Sequence, residues 1–151
     1  MTVAESSLAQ FQTDIDKWMA ENVPKNPGFL LPLTFLEVGT EQQLDFLRDW
    51  QHKLWQAGFL GMHWPTEYGG QGADPAYQGL VDKALTAHNA PIIFNTIGLN
   101  WTGPLLLDVG TEDDRKRYIK NILTGDDIWC QGFSEPDHGS DLGNVQTRAV
   151  R

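Results

Sequence analysis

Residues 129–149, WCQGFSEPDHGSDLGNVQTRA, divide the chain into two kinds of text. Before them, apolar residues recur with the spacing of helices. Within them, three glycines, two serines and Pro136 gather around few apolar side chains. Pro136 fixes its own φ and biases Glu135 toward an extended shape, and Gly139 and Gly143 read as positions where a Cβ would obstruct the turn. Ser134, Asp137, Ser140, Asp141 and Asn144 are residue types that bond to nearby backbone amides in turns. Composition alone leaves two readings open. One is an elaborate turn between strands; the other is a loop whose small side chains let backbone N–H groups approach a phosphate or an aromatic cofactor edge. The stretch is neither a dinucleotide fingerprint nor a P-loop.

The flanks of this loop read as strands. DIWCQGF, residues 127–133, is short and aromatic without a 3.6-residue period, and VQTRAVR, residues 145–151, alternates. Two strands do not make a stable sheet alone. The expectation is therefore a piece of a longer protein, with a helical domain over residues 1–125 and the start of a β domain over residues 126–151.

Upstream, Leu8, Phe11, Ile15, Trp18 and Met19 share one stripe of a helix from Ser6 to about Asn22, which Pro24 limits. The proline-rich text of residues 23–39 reads as an irregular connector with at most a short helix. A second helix spans residues 41–57, with Thr40 as N-cap, Gln43 placed to close a capping box and Gly58 as the stop. A Gly-rich loop follows over residues 59–75, then a third helix over residues 75–88. In the apolar run 92–109, Pro104 either starts a helix or kinks a longer one. The last helix is capped by Thr111 and ended by Gly125, with Glu112–Lys116 and Asp113–Arg117 as i,i+4 pairs.

Six Trp, seven Phe and three Tyr supply core, while 21% charged residues and a negative mean hydropathy keep the surface wet. A formal charge of -9 without a basic stripe argues against nucleic acid. No apolar run is long enough to span a bilayer, and Asp14 and Asp16 weigh against a leader peptide, so a cytoplasmic location is expected. The single cysteine, Cys130, fits a reducing compartment and reads as a small buried apolar residue. Asp137, His138 and Asp141 fit no zinc or EF-hand spacing, so no metal site is assigned. His52, His63 and His88 stand isolated and read as packing or surface residues. Glu135 is read as a partner of loop amides rather than as a base.

The letters GFSEPDHGSDLG resemble the signature of the acyl-CoA dehydrogenase family, in which Ser or Thr, Glu-Pro, two residues and Gly-Ser-Asp recur. WPTEYGGQG, residues 64–72, and GPLLLDVGTEDDRKRYIKNILTGDDIWCQGFSEP, residues 103–136, are similar to that family's N-terminal half. The resemblance implies an all-α N-terminal helical bundle followed by the truncated start of a β-barrel-like domain. It implies FAD as cofactor, lined by the segment from Gln131 to Ser140, with Ser134 bonding the pyrimidine edge of the flavin and Phe133 packing on the ring. Gly139 belongs to the same cofactor-binding set, and Ser140 matches a serine that touches both cofactor and acyl-CoA.

The implied reaction is α,β-dehydrogenation of an acyl-CoA, in which a carboxylate removes the α proton and hydride passes to flavin N5. The family's catalytic glutamate lies in a later helical domain, so no catalytic residue is assigned here. Asp137-His138 departs from the small residues usual in the family. The resemblance further implies electron-transferring flavoprotein as acceptor and a homo-oligomer or heteromer. WCQGFSEP is similar to bacterial members acting on bulky or sterol-derived acyl groups. A non-catalytic subunit of a heteromeric complex is the alternative reading.

Overall fold

A computed structural model describes residues 7–25 and 27–150. Helix α1, Leu8–Asn22, starts at Ser7, whose Oγ accepts from the Gln10 amide at 3.2 Å. The expected start at Ser6 lies outside the described residues. Phe11, Ile15 and Met19 are buried, whereas Leu8, at the frayed end of the same stripe, is 46% exposed. Trp18 sets its edge against Phe59, with centroids 5.1 Å apart. The connector contains one 3-10 turn, Phe35–Glu37, as its prolines suggest.

Helix α2, Glu41–Gln56, is capped by Thr40, whose hydroxyl accepts from the Gln43 amide at 3.2 Å. The reciprocal half of the expected capping box goes elsewhere: the Gln43 side chain accepts from Gly39 N and donates to Leu30 O, which ties the connector down. Leu47, Trp50, Gln51 and Leu54 form the buried face.

The Gly-rich segment 59–75 is not a surface loop. Phe59, Leu60, Met62, Trp64 and Tyr68 are buried, and Gly72 N and Ala73 N donate back to Trp64 O and Met62 O. Gly70 is required there, since a Cβ would stand 2.3 Å from Trp64 O. Helix α3, Ala76–Ala87, buries Val81 and Ala84 and packs on α1, where Phe11 meets Tyr77 edge-on at 5.0 Å.

Pro104 proves to follow a π-helical turn, Gly98–Thr102, which runs into α4, Gly103–Val109. The Gly103 amide donates five residues back to Gly98 O, so the widened turn rearranges the backbone bonds just before the residue that has no N–H. Helix α5, Glu112–Thr124, has a complete capping box between Thr111 and Asp114 and ends at Gly125 with φ +83°. Ile119, Ile122 and Leu123 are fully buried, each contributing about 2 kcal/mol of hydrophobic stabilisation. α5 packs on α2, α4 and the Thr66–Tyr68 turn. The Glu112–Lys116 pair forms at 3.1 Å, while Arg117 lies over the Tyr118 ring instead of serving as the expected partner of Asp113.

Among the described residues there is no β-strand, so the two strands expected at 127–133 and from Val145 do not form a ladder. Two short runs have no third strand to pair with. The Glu135 side chain, just past the first run, bonds the second, as described below.

Candidate functional site

The route to the small-residue loop begins inside the helical domain. Asn95, 1% exposed, donates from Nδ2 to Ile122 O at 3.0 Å and to Asp127 O at 2.9 Å, and its Oδ1 accepts from Trp129 N at 3.2 Å. Gln51 adds two bonds from its own amide nitrogen, to Ile122 O and Leu123 O. Two buried carboxamides thus satisfy the carbonyls that the end of a helix leaves without partners. Asn121 holds the Asp127 carboxylate at 3.1 Å, and Trp129 packs its ring on Tyr118. From Cys130 onward the chain leaves the core. Cys130 is exposed, contrary to the buried role expected of it, because Trp129 is the last side chain to reach the helices.

Glu135 and His138 exchange backbone bonds, Glu135 N to His138 O at 2.8 Å and His138 N to Glu135 O at 3.2 Å. Pro136 and Asp137 therefore sit at the tip of a tight turn, and the chain doubles back so that Gly139 faces Ser134. The Ser134 hydroxyl lies 3.7 Å from where a Gly139 Cβ would be. The turn brings Ser134, Gly139 and Ser140 together, while Gln131 and Phe133 stand on the incoming arm. All five are exposed, and Phe133 is 73% so. No other described residue engages the hydroxyls of Ser134 and Ser140.

Glu135 takes the amide-binding role read from sequence. Its carboxylate accepts from Gln146 N at 2.8 Å, Thr147 N at 2.7 Å and the Thr147 hydroxyl. The Thr147 hydroxyl above all, and then the two amides, hold its pKa below the usual carboxylate range. Such a group stays ionised and occupied, which disfavours proton abstraction. Asp141 and Asn144 close a further 3-10 turn, Leu142–Asn144. No group of three or more His, Cys, Asp or Glu side chains suited to a metal ion converges among the described residues.

The glycines of the loop behave differently from those of the helical domain. Gly139 and Gly143 were expected to permit the turn, yet neither has a positive φ, and an added Cβ would meet nothing nearer than 3.6 Å. At Gly132 a Cβ would face open space. The chain's own conformation does not require these three residues to be small. The loop surface carries the exposed Phe133 ring and the hydroxyls of Ser134 and Ser140.

A second feature was invisible in the sequence. Leu60, Trp64, Asp82, Ile93, Thr96 and Leu99 help line a cleft of about 240 Å³, adjoined by a shallower hollow of about 490 Å³ beside Phe35 and Leu85. His63 lies on its rim. The predicted loop residues line neither. His88, which the sequence leaves isolated, meets Asp16 at 3.3 Å and links α3 to α1. Asn95 carried no periodic or motif signal; its one hint is an amide inside the apolar run PIIFNTIGL.

The structure is a helical domain that hands its last segment to an exposed loop rich in glycine and serine. Residues 32–126 match the family described as acyl-CoA dehydrogenase, N-terminal domain, and the chain belongs to that family. It is 35% identical over 143 residues to acyl-CoA dehydrogenase IpdE1 of Mycolicibacterium smegmatis, covering 94% of this chain and 36% of that protein. It is 42% identical over 101 residues to acyl-CoA dehydrogenase FadE34 of Mycobacterium tuberculosis, covering 67% of this chain and 14% of that protein. The solved structure named Tcur3481-Tcur3483 steroid ACAD superposes with a TM-score of 0.68 at 31% identity, covering 95% of this chain and 35% of that one. The chain thus spans little more than a third of the length of the first of these relatives.

Proposed function

We propose that this chain is the N-terminal part of an FAD-dependent acyl-CoA dehydrogenase that introduces an α,β double bond into an acyl-CoA thioester. Residues 1–125 are the helical domain and residues 126–151 open the β domain. The observation that carries the reading is the loop itself: glycines that its own fold does not require, beside an exposed Phe133 and the free hydroxyls of Ser134 and Ser140. These residues fit a flavin edge. FAD, when bound, supplies the hydride acceptor. This chain's part is to offer fixed donors from Ser134 and the neighbouring amides, to cover the ring with Phe133, and to orient substrate through Ser140. The catalytic carboxylate comes from a later helical segment.

Trp101, Leu105 and Val109 are exposed at four-residue spacing along the π-helical turn and α4, an apolar face suited to contact with the rest of the enzyme. The solved structure named a steroid ACAD supports a steroid-derived or similarly bulky acyl group, and the family resemblance implies electron-transferring flavoprotein as acceptor. A second reading, a non-catalytic subunit of a heteromer, draws on the paired name of the solved structure Tcur3481-Tcur3483 steroid ACAD.

Full-length protein is expected to purify yellow and to bleach on addition of its acyl-CoA, whereas residues 1–151 alone bind FAD weakly and turn over nothing. Full-length protein that takes up no flavin on reconstitution with FAD overturns the enzyme reading. Flavin bound without bleaching, across a panel of acyl-CoA esters, favours the subunit reading.

A further inference from the structure

We infer that Asn95 is a positioning residue, which fixes the direction in which the Gln131–Ser140 loop leaves the helical domain relative to the cleft beside the π-helical turn. The inference rests on the reading of that loop as a flavin site. Its basis is a set of bonds that converge on one carboxamide. Nδ2 uses both hydrogens, on Ile122 O and Asp127 O, and Oδ1 takes the Trp129 amide. Asn95 therefore spans the end of α5 and both ends of the outgoing segment 127–129. Among the described residues the hydrogen bonds made beyond Trp129 lie within residues 134–147, so the loop inherits the orientation set here.

On its other side Asn95 is tied to residues of the cleft wall, without lining the cleft itself. Its backbone carbonyl accepts from Leu99 N at 2.9 Å as the chain enters the π-helical turn, and Thr96 and Leu99 are cleft residues. Gly98 makes the close approach possible, because a Cβ there would stand 2.6 Å from Asn95 Oδ1. A shift of the carboxamide thus moves the loop and the cleft wall with respect to each other. Displacements on the order of 1 Å are enough to slow a reaction that depends on alignment by about a hundredfold.

The experiment uses the full-length protein and compares Asn95→Ala, Gly98→Ala and, as a core variant away from this junction, Val81→Ala. Hydrogen exchange is followed without added flavin, and flavin absorbance and the rate of bleaching by acyl-CoA are followed with it. For Asn95→Ala, exchange is expected to quicken about tenfold or more over residues 129–147 while α1 and α3 keep their protection. The flavin band shifts, and bleaching slows about tenfold or more at saturating substrate. Val81→Ala lowers Tm but leaves loop exchange and the flavin band unchanged.

Gly98→Ala, which displaces the carboxamide without deleting it, moves the same readouts in the same direction and serves if Asn95→Ala does not fold. Loop exchange and flavin spectrum unchanged in whichever of these two variants folds, with only Tm reduced, overturn the inference. Wild-type protein that takes up no flavin overturns the flavin reading instead, while the exchange experiment still decides whether Asn95 positions the loop.

Discussion

Trp64 and Gly103 meet across the core so closely that a Cβ on Gly103 would stand 2.1 Å from Cη2 of the indole and 2.8 Å from Cζ2. Trp64 is buried, and Gly98 O, 3.0 Å away, closes the other direction. Gly103→Ala gains about 1 kcal/mol in helix propensity and loses about 1–3 kcal/mol to overpacking. A net destabilisation is expected, read as a lower urea midpoint; an unchanged or higher midpoint contradicts it.

Thr111 caps α5 through three contacts with Asp114. Its hydroxyl accepts from the Asp114 amide and donates to the carboxylate, and its own amide donates to that carboxylate as well. Thr111→Ala removes the hydroxyl bonds and is expected to cost about 1 kcal/mol in chemical denaturation. Thr111→Ser, which restores the oxygen, should recover most of it.

Glu135 holds residues 146 and 147 with a carboxylate whose folded-state pKa lies below its ordinary value. Its contribution to order in the loop is therefore complete at neutral pH and is lost as pH falls through that depressed value. Exchange of the Thr147 amide, after correction for intrinsic rates, should quicken over that acid range. In Glu135→Gln it should already be fast at neutral pH, with no acid step remaining.

Cys130 is exposed, and it is the chain's one cysteine. One equivalent of thiol is expected to react with an aromatic disulfide reagent in the native chain at a rate close to that in denaturant. Reaction only after unfolding would show Cys130 covered.

Most of the helical architecture can be read from residue types. Phe11, Ile15 and Met19 mark a buried stripe at helical spacing, and Thr40, Thr111 and Gly125 mark ends through local chemistry that needs no distant partner. The π-helical turn is different: Gly98 is crowded by its near neighbour Asn95, and Gly103 by Trp64, which only tertiary packing brings there. The strands are absent among the described residues for a related reason: alternation from Val145 describes what a chain does when it has a neighbour to pair with. In the loop, the letters identified Ser134, Gly139 and Ser140 as a group, and the turn at Pro136 does gather them. The Cβ obstruction expected at Gly139 and Gly143 is absent, because neither backbone has a positive φ or a near neighbour there.

That difference between glycines has an evolutionary consequence. A screen that selects only for folded, soluble protein would discard changes at Gly70, Gly98 and Gly103 yet let Gly132, Gly139 and Gly143 drift. The flavin site proposed above predicts that a screen rewarding activity of the full-length protein holds all six. Comparing the two sets of survivors would separate what the polypeptide demands of itself from any further demand placed on it.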